Sequence, residues 1–242
     1  MLTTDEAFAP LNVTNTTSGA LDHECRPVRP IPVIVTSAPE HRERVERARV
    51  LWREARPIDG TPAQLYLASR GLSYEGEALR WHPCCPFGHG VRRGCMLGLV
   101  RNITTNEPQA IHRTAIGANG SKIDRRSYGQ IVGGAVKLTD DANVGRVLAI
   151  GEGIETTLSI RELSDLSNIP VWSVLSANGV SRFPALPGIE SVWIAADNDV
   201  SGAGQNAART AAEHLCTAGV EVIIVSPTQT GTDLNDRITR HA

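Results

Sequence analysis

The stretch VLAIGEGIETTLSI (147–160) decides the fold. Its apolar run VLAI is short and ends in Gly-Glu-Gly, which reads as a buried strand turning sharply, and the run that follows, IETTLSIRELSDL, reads as a helix. Further along come VWSVLSA (171–177) as a strand, VSRFPAL (180–186) as a short helix or turn, and SVWIAADN (191–198) as a strand. GAGQNAARTAAEHLCTAG (202–219) is an amphipathic helix ended by Gly219, EVIIVSP (221–227) a strand, and a last helix starts at Asp233. Strands alternating with helices predict an α/β fold: a Rossmann-like parallel sheet over 145–242, flanked by helices and joined by right-handed crossovers.

Carboxylates mark the expected strand ends. Glu152 follows the first strand, Asp197 and Asp199 follow SVWIAA, and Asp233 and Asp236 lie in GTDLNDRI (231–238). Side chains at the C-terminal ends of parallel strands converge on one crevice. Hard oxygen donors gathered there suit Mg²⁺ and phosphoryl chemistry. Each cluster also has a plainer reading. Glu152 sits where an acid favours the start of the next helix. Asp197 and Asp199, two residues apart in an extended segment, repel each other unless a cation intervenes, yet Asn-Asp and Ser-Gly equally favour a turn and a helix cap. The glycines of SGAG (201–204) leave the following helix N-terminus open to phosphate.

Upstream, PEHRERVERARVLWREAR (39–56) and TPAQLYLASRGL (61–72) read as helices, the second stopping at Gly71. ALRWHP, CMLGLVRN, PQAIHRTAI and GAVKLT are strand-like pieces between turn residues, predicting a small α+β subdomain with a mostly antiparallel sheet over 40–144. Residues 1–39, rich in Thr, Pro and Asn without periodicity, read as a disordered or extended tail.

The chain has 242 residues, 41% of them apolar, and a formal charge of −2 that hides a division. Residues 145–242 hold 6 Arg and no Lys against 11 Asp and Glu, whereas 80–137 hold 9 basic residues against 2 acidic. A cationic block beside an anionic one suits a polyanion held against bound cations, although both also occur as solvated faces. Arg113, Lys122, Arg125 and Arg126 form the group suited to phosphate oxygens. No run approaches 18 apolar residues and no secretory signal is evident, so the expectation is a cytoplasmic protein with no membrane contact. Five cysteines at irregular spacing argue against a disulfide framework. His82, Cys84, Cys85, His89 and Cys95 crowd WHPCCPFGHGVRRGC (81–95) without a Cys-x-x-Cys pair, which argues against zinc.

GEGIETTLS, AADNDVSGAG and GTDLND, in that order and set in alternating strands and helices, resemble the Toprim domain of bacterial-type primases, topoisomerases and certain nucleases. IHRTAIGANGSKIDRRSYGQIVGGAVKLTD (111–140) is similar to the segment preceding Toprim in the primase-like proteins of phages and plasmids. The resemblance implies catalytic roles for Glu152, Asp197 and Asp199, and Mg²⁺ or Mn²⁺ held by these with Asp233 and Asp236. Asn235 stands where some members have another acid. It also implies DNA replication chemistry: a primase-like nucleotidyltransferase making short RNA primers from ribonucleoside triphosphates on single-stranded DNA, with a replicative helicase as a candidate partner. A Toprim nuclease and a non-catalytic nucleic-acid-binding accessory protein of a mobile element are the alternatives.

Overall fold

A computed structural model describes residues 11–16, 39–163 and 166–239, the side chains of 237–239 excepted. In chain order its elements are β1 (Leu11–Thr16), α1 (Pro39–Glu54), β2 (Arg56–Pro57), α2 (Pro62–Ala68), β3 (Leu79–Gly88), β4 (Val91–Asn102), β5 (Pro108–Ile116), β6 (Lys122–Gly129) and β7 (Gly134–Lys137). There follow β8 (Val147–Gly151), α3 (Ile154–Ser159), β9 (Val171–Ser173), α4 (Ala177–Ser181), β10 (Ser191–Ala195), α5 (Ala203–Thr217), β11 (Glu221–Pro227) and α6 (Leu234–Thr239). Within the segment expected to be a tail, Leu11–Thr16 is an antiparallel edge strand on β11, and the rest of 1–38 lies outside the described residues.

The C-terminal half is the expected α/β sheet. Its parallel strands run β11-β10-β8-β9, with β8 between β10 and β9. The chain therefore leaves β8 to one side for β9 and returns on the other for β10, which puts the topological switch, and the crevice that goes with it, between β8 and β10. Alternation sorts the side chains into two layers. Leu148, Ile150, Val192, Ile194 and Val222 point to the face covered by α5, whose Ala207, Ala208, Ala211 and Ala212 allow close approach. Ala149, Ala195 and Val225 point to the opposite face with Ile154 and Leu158 of α3 and Leu234 of α6. Each fully buried Leu or Ile contributes about 1.5–3 kcal/mol relative to exposure.

The N-terminal half is antiparallel as expected, with two strands more than the turn signals suggested: Arg56–Pro57 is β2 and pairs with β3, and KIDRRSYG (122–129) is β6 and pairs along β5. The two halves share one sheet. Val100 of β4 pairs with Ala110 of β5 on one side and Val136 of β7 on the other, and β7 pairs antiparallel with β9. They also share one core, in which Tyr66, Trp81 and Met96 pack with Ile154 and Leu158. Thr61 caps α2 by accepting from Ala63 N at 3.2 Å, with Pro62 opening the helix. Helix α1 lays Ala48 and Leu51 over a separate cluster containing Cys85, Phe87, Cys95 and Ile111. Among the described residues no helix is long and apolar enough to cross a membrane.

Candidate active site

Glu152 leaves the C-terminal end of β8, directly beside the end of β10, because Gly151 pairs with Ala195. Ser173 at the end of β9 donates to Glu152 O at 3.0 Å and fixes the turn. Gly151 is required by close packing: a Cβ there would lie 2.5 Å from Thr157 Oγ1 of α3.

Two residues past β10 comes Asp197. Burial first, then the negative charges of Asp233, Glu152 and Asp199, push its carboxyl up to about 6, opposed by a hydrogen bond from Thr156. Its Oδ1 is buried and has no hydrogen-bond partner. The approach of Asp233 has an identifiable cause. Asn198 N donates to Thr232 O at 3.0 Å, Gly231 N donates to Asn198 O at 2.5 Å, and Asn198 Nδ2 donates to Pro227 O at 2.9 Å. These bonds stitch the loop after β10 to the loop before α6. Behind Asp197, Gly204 lets the first turn of α5 press on its backbone, since a Cβ would lie 2.7 Å from Asp197 O.

The carboxylates that looked alike in sequence divide into two kinds. Asp199 accepts from Ser201 Oγ at 2.5 Å, Ala203 N at 3.2 Å and Gly204 N at 3.1 Å, and these bonds hold its carboxyl down to about 2. Its side chain satisfies the first N–H groups of α5, whose N-cap residue is Gly202. Asp236 accepts from Asp233 N at 3.0 Å while Asp236 N donates to Asp233 Oδ1 at 2.9 Å, a reciprocal capping box at the start of α6. Burial raises the Asp233 carboxyl, and Arg70 opposes that rise.

Asn235, fully buried, is a clamp. Its Nδ2 donates to Arg70 O at 2.9 Å and to Ser159 Oγ at 3.3 Å, and its Oδ1 accepts from Arg70 Nη1 at 3.0 Å. Neither Arg70 nor this role for Asn235 was expected from the sequence.

A family model described as "Toprim domain" matches residues 147–242. The C-terminal half is a Toprim domain. A second model, described as "Domain of unknown function (DUF7146)", matches residues 42–138. Among solved structures the chain is similar to a DNA primase domain from Pseudomonas aeruginosa, at 15% identity and a TM-score of 0.48, covering 82% of this chain and 74% of that one. It is also similar to the primase fragment of the bacteriophage T7 primase-helicase protein, at 16% identity and a TM-score of 0.45, covering 77% and 75%. No curated protein matches.

The four cations expected to bind phosphate separate across the sheet. Arg113 and Arg126 are register partners pointing towards the α1 side. Arg113 is only 6% exposed, donates to Pro86 O and Ser127 O, and lies over the rings of Phe87 and Tyr128 at 5.5 and 5.4 Å. It is a structural strut rather than an open phosphate contact. Arg126 is half exposed, bound to Asp124 Oδ2 at 3.1 Å and Phe87 O at 3.2 Å. Lys122 and Arg125 face the Toprim side. Lys122 Nζ donates to Glu155 Oε1 at 3.3 Å, and Arg125 lies near enough to favour ionisation of Tyr66 and to disfavour protonation of His112.

Glu155 was missed in the sequence. It is 8% exposed on the first turn of α3 and accepts from Tyr66 Oη as well as from Lys122. Burial alone would raise its carboxyl, but the charge of Lys122 and the hydrogen bond from Tyr66 carry the net shift downwards. The sequence carried little signal for it: in the run read as one helix, IETTLSIRELSDL, Glu155 is one of four charged residues, and only the shortness of α3 leaves it alone among buried neighbours.

Of the residues checked for zinc, Cys85 and Cys95 lie in the core beneath α1, while exposed Cys84 accepts from Arg92 Nε at 3.2 Å. Among the described residues no group of three or more His, Cys, Asp or Glu side chains is placed to hold a metal ion. Mg²⁺ does not demand such a group, since it is commonly held by one or two carboxylates, with water and substrate phosphate completing its shell. Asp197 fits such an ion: its Oδ1 is buried and unpartnered, and burial, then the negative charges of Asp233 and Glu152, raise its carboxyl.

Proposed function

We propose that the chain is a primase-like nucleotidyltransferase that makes short RNA primers on single-stranded DNA with Mg²⁺ or Mn²⁺. The observation that carries this reading is the Asp197 carboxyl, with Oδ1 buried and unpartnered beside Glu152 and Asp233 at the switch point of a Toprim sheet. Glu152, Asp197 and Asp233 would hold the cation, which supplies neutralisation of charge developing on phosphoryl oxygens. Asp199 and Asp236 serve the site indirectly, by fixing the N-termini of α5 and α6 and so the loops that carry Asp197 and Asp233. Residues 145–242 supply the chemistry and 40–144 the platform, on which Lys122, Arg125 and Arg126 attract the backbone of template or triphosphate. A replicative helicase is a natural partner for such an activity.

The test incubates the protein with single-stranded DNA, labelled ribonucleotides and Mg²⁺ or Mn²⁺, alongside Asp197→Asn. Extension products made by wild type and not by the variant support the reading. Shortened DNA assigns the same carboxylates to a nuclease instead. Binding without either product, insensitive to chelation, leaves an accessory nucleic-acid-binding protein.

A further inference from the structure

Glu155 belongs to neither the carboxylate group at the crevice nor the exposed cations, yet it joins them. It stands on the helix that begins immediately after Glu152, next to Thr156, which hydrogen-bonds Asp197. Its Oε1 gathers Tyr66 Oη from α2 and Lys122 Nζ from β6. The Lys122 side chain keeps 29% of its surface accessible. Tyr66 in turn carries the Arg70 guanidinium 5.3 Å above its ring, and Arg70 grips Asn235 beside Asp233. Contacts thus run from the cationic hairpin β5–β6, through Glu155, to the loops bearing all three crevice carboxylates.

A buried carboxylate is expensive unless paired, and replacing such a pair by apolar groups is often neutral or better for stability. The compensation here comes from Tyr66 Oη and Lys122 Nζ, and holding the lysine side chain in one place adds a cost of its own. We propose that Glu155 is a positioning residue: it pins Lys122, and with it the β5–β6 hairpin, over the Toprim crevice so that the ammonium meets a phosphate of the bound nucleic acid. This rests on the reading of the hairpin as a phosphate platform given above. Positioning and simple electrostatics predict opposite signs. Removing an anion beside a cationic hairpin raises the local positive potential and by itself tightens a polyanion. Removing a positioning anion weakens it.

The experiment measures anisotropy of fluorescein-labelled oligothymidylate at low salt with wild type, Glu155→Gln, Glu155→Asp, Lys122→Met and the Glu155→Gln/Lys122→Met double variant, each checked for a cooperative thermal transition. Expected is a loss of affinity of about fivefold or more for Glu155→Gln and for Lys122→Met, with the double variant no weaker than either. Glu155→Asp, which keeps the charge on a shorter stem, also weakens binding, and it carries the decision if Glu155→Gln does not fold. Unchanged or tighter binding by the Glu155 variants, or losses that simply add in the double variant, overturns the inference while leaving the platform intact. Failure of wild type to bind the oligonucleotide overturns both.

Discussion

Asp197→Asn should abolish activity and at the same time stabilise the metal-free protein. Burial, then the charges of Asp233 and Glu152, lift the Asp197 carboxyl from its ordinary 3.8 to about 6. A carboxyl raised in the folded state binds its proton more tightly there than in the unfolded chain. Stability therefore falls as pH rises from about 4 to about 6, and the whole penalty is present at neutral pH. Two pH units at about 1.36 kcal/mol each give an upper limit of about 3 kcal/mol. The carboxyl is partly open to solvent, and screening reduces that to about 1–2 kcal/mol. Asparagine keeps an oxygen for Thr156 and carries no charge. At roughly 2–4 °C per kcal/mol for a chain of this size, Tm should rise by about 2–8 °C. The assay is calorimetry in chelator at pH 7.5 and at pH 4. The variant's advantage should be clear at the higher pH and shrink at the lower. Adding Mg²⁺ at ten times a millimolar Kd should stabilise wild type by about 1.4 kcal/mol and the variant by much less. A variant less stable than wild type in chelator at pH 7.5, or equally stabilised by Mg²⁺, would refute the reasoning.

Other predictions follow from particular contacts. Asn235→Asp should destabilise by about 1–3 kcal/mol in denaturant titration, because a carboxylate cannot donate to Arg70 O and Ser159 Oγ as the amide does. Arg125→Ala should lower the salt slope of single-stranded DNA binding by about one while leaving Tm nearly unchanged, whereas Arg113→Ala should lower Tm through lost stacking and carbonyl bonds. Burial holds the His112 imidazole down to about 4, so its NMR titration midpoint should lie near 4. Its contribution to stability, present above about 6.5, should be lost as pH falls towards that midpoint.

Periodicity and glycine placement carry the α/β half because they reflect local chain geometry: VLAI, SVWIAA and EVIIVSP each lie where the sequence puts a strand, and Glu152 and Asp197 follow the ends of two neighbouring ones. The division of labour between Asp197 and Asp199 was not legible. Both precede the same helix, and only the bonds from Asn198 to Thr232 and Pro227 turn one towards Asp233 and leave the other to bond the first N–H groups of α5. The burial of Arg113 was hidden for a related reason. Charge suggests exposure, but Phe87 and Tyr128, far apart in the chain, enclose the guanidinium once β3, β5 and β6 align. The shared sheet was equally hidden, since the β7–β9 pairing joins residues about 35 apart that carry no mutual signal in sequence.

On the proposed reading three of the five carboxylates, and not the other two, hold the cation. Mn²⁺ binding followed by electron paramagnetic resonance addresses it directly in wild type, Asp197→Asn, Asp233→Asn and Asp199→Asn, the last retaining a side-chain acceptor for the first N–H groups of α5. Expected are binding by wild type, a severe loss for Asp197→Asn and Asp233→Asn, and near wild-type affinity for Asp199→Asn. Undiminished binding by Asp197→Asn, or a loss in Asp199→Asn as large as in Asp197→Asn, would contradict that reading.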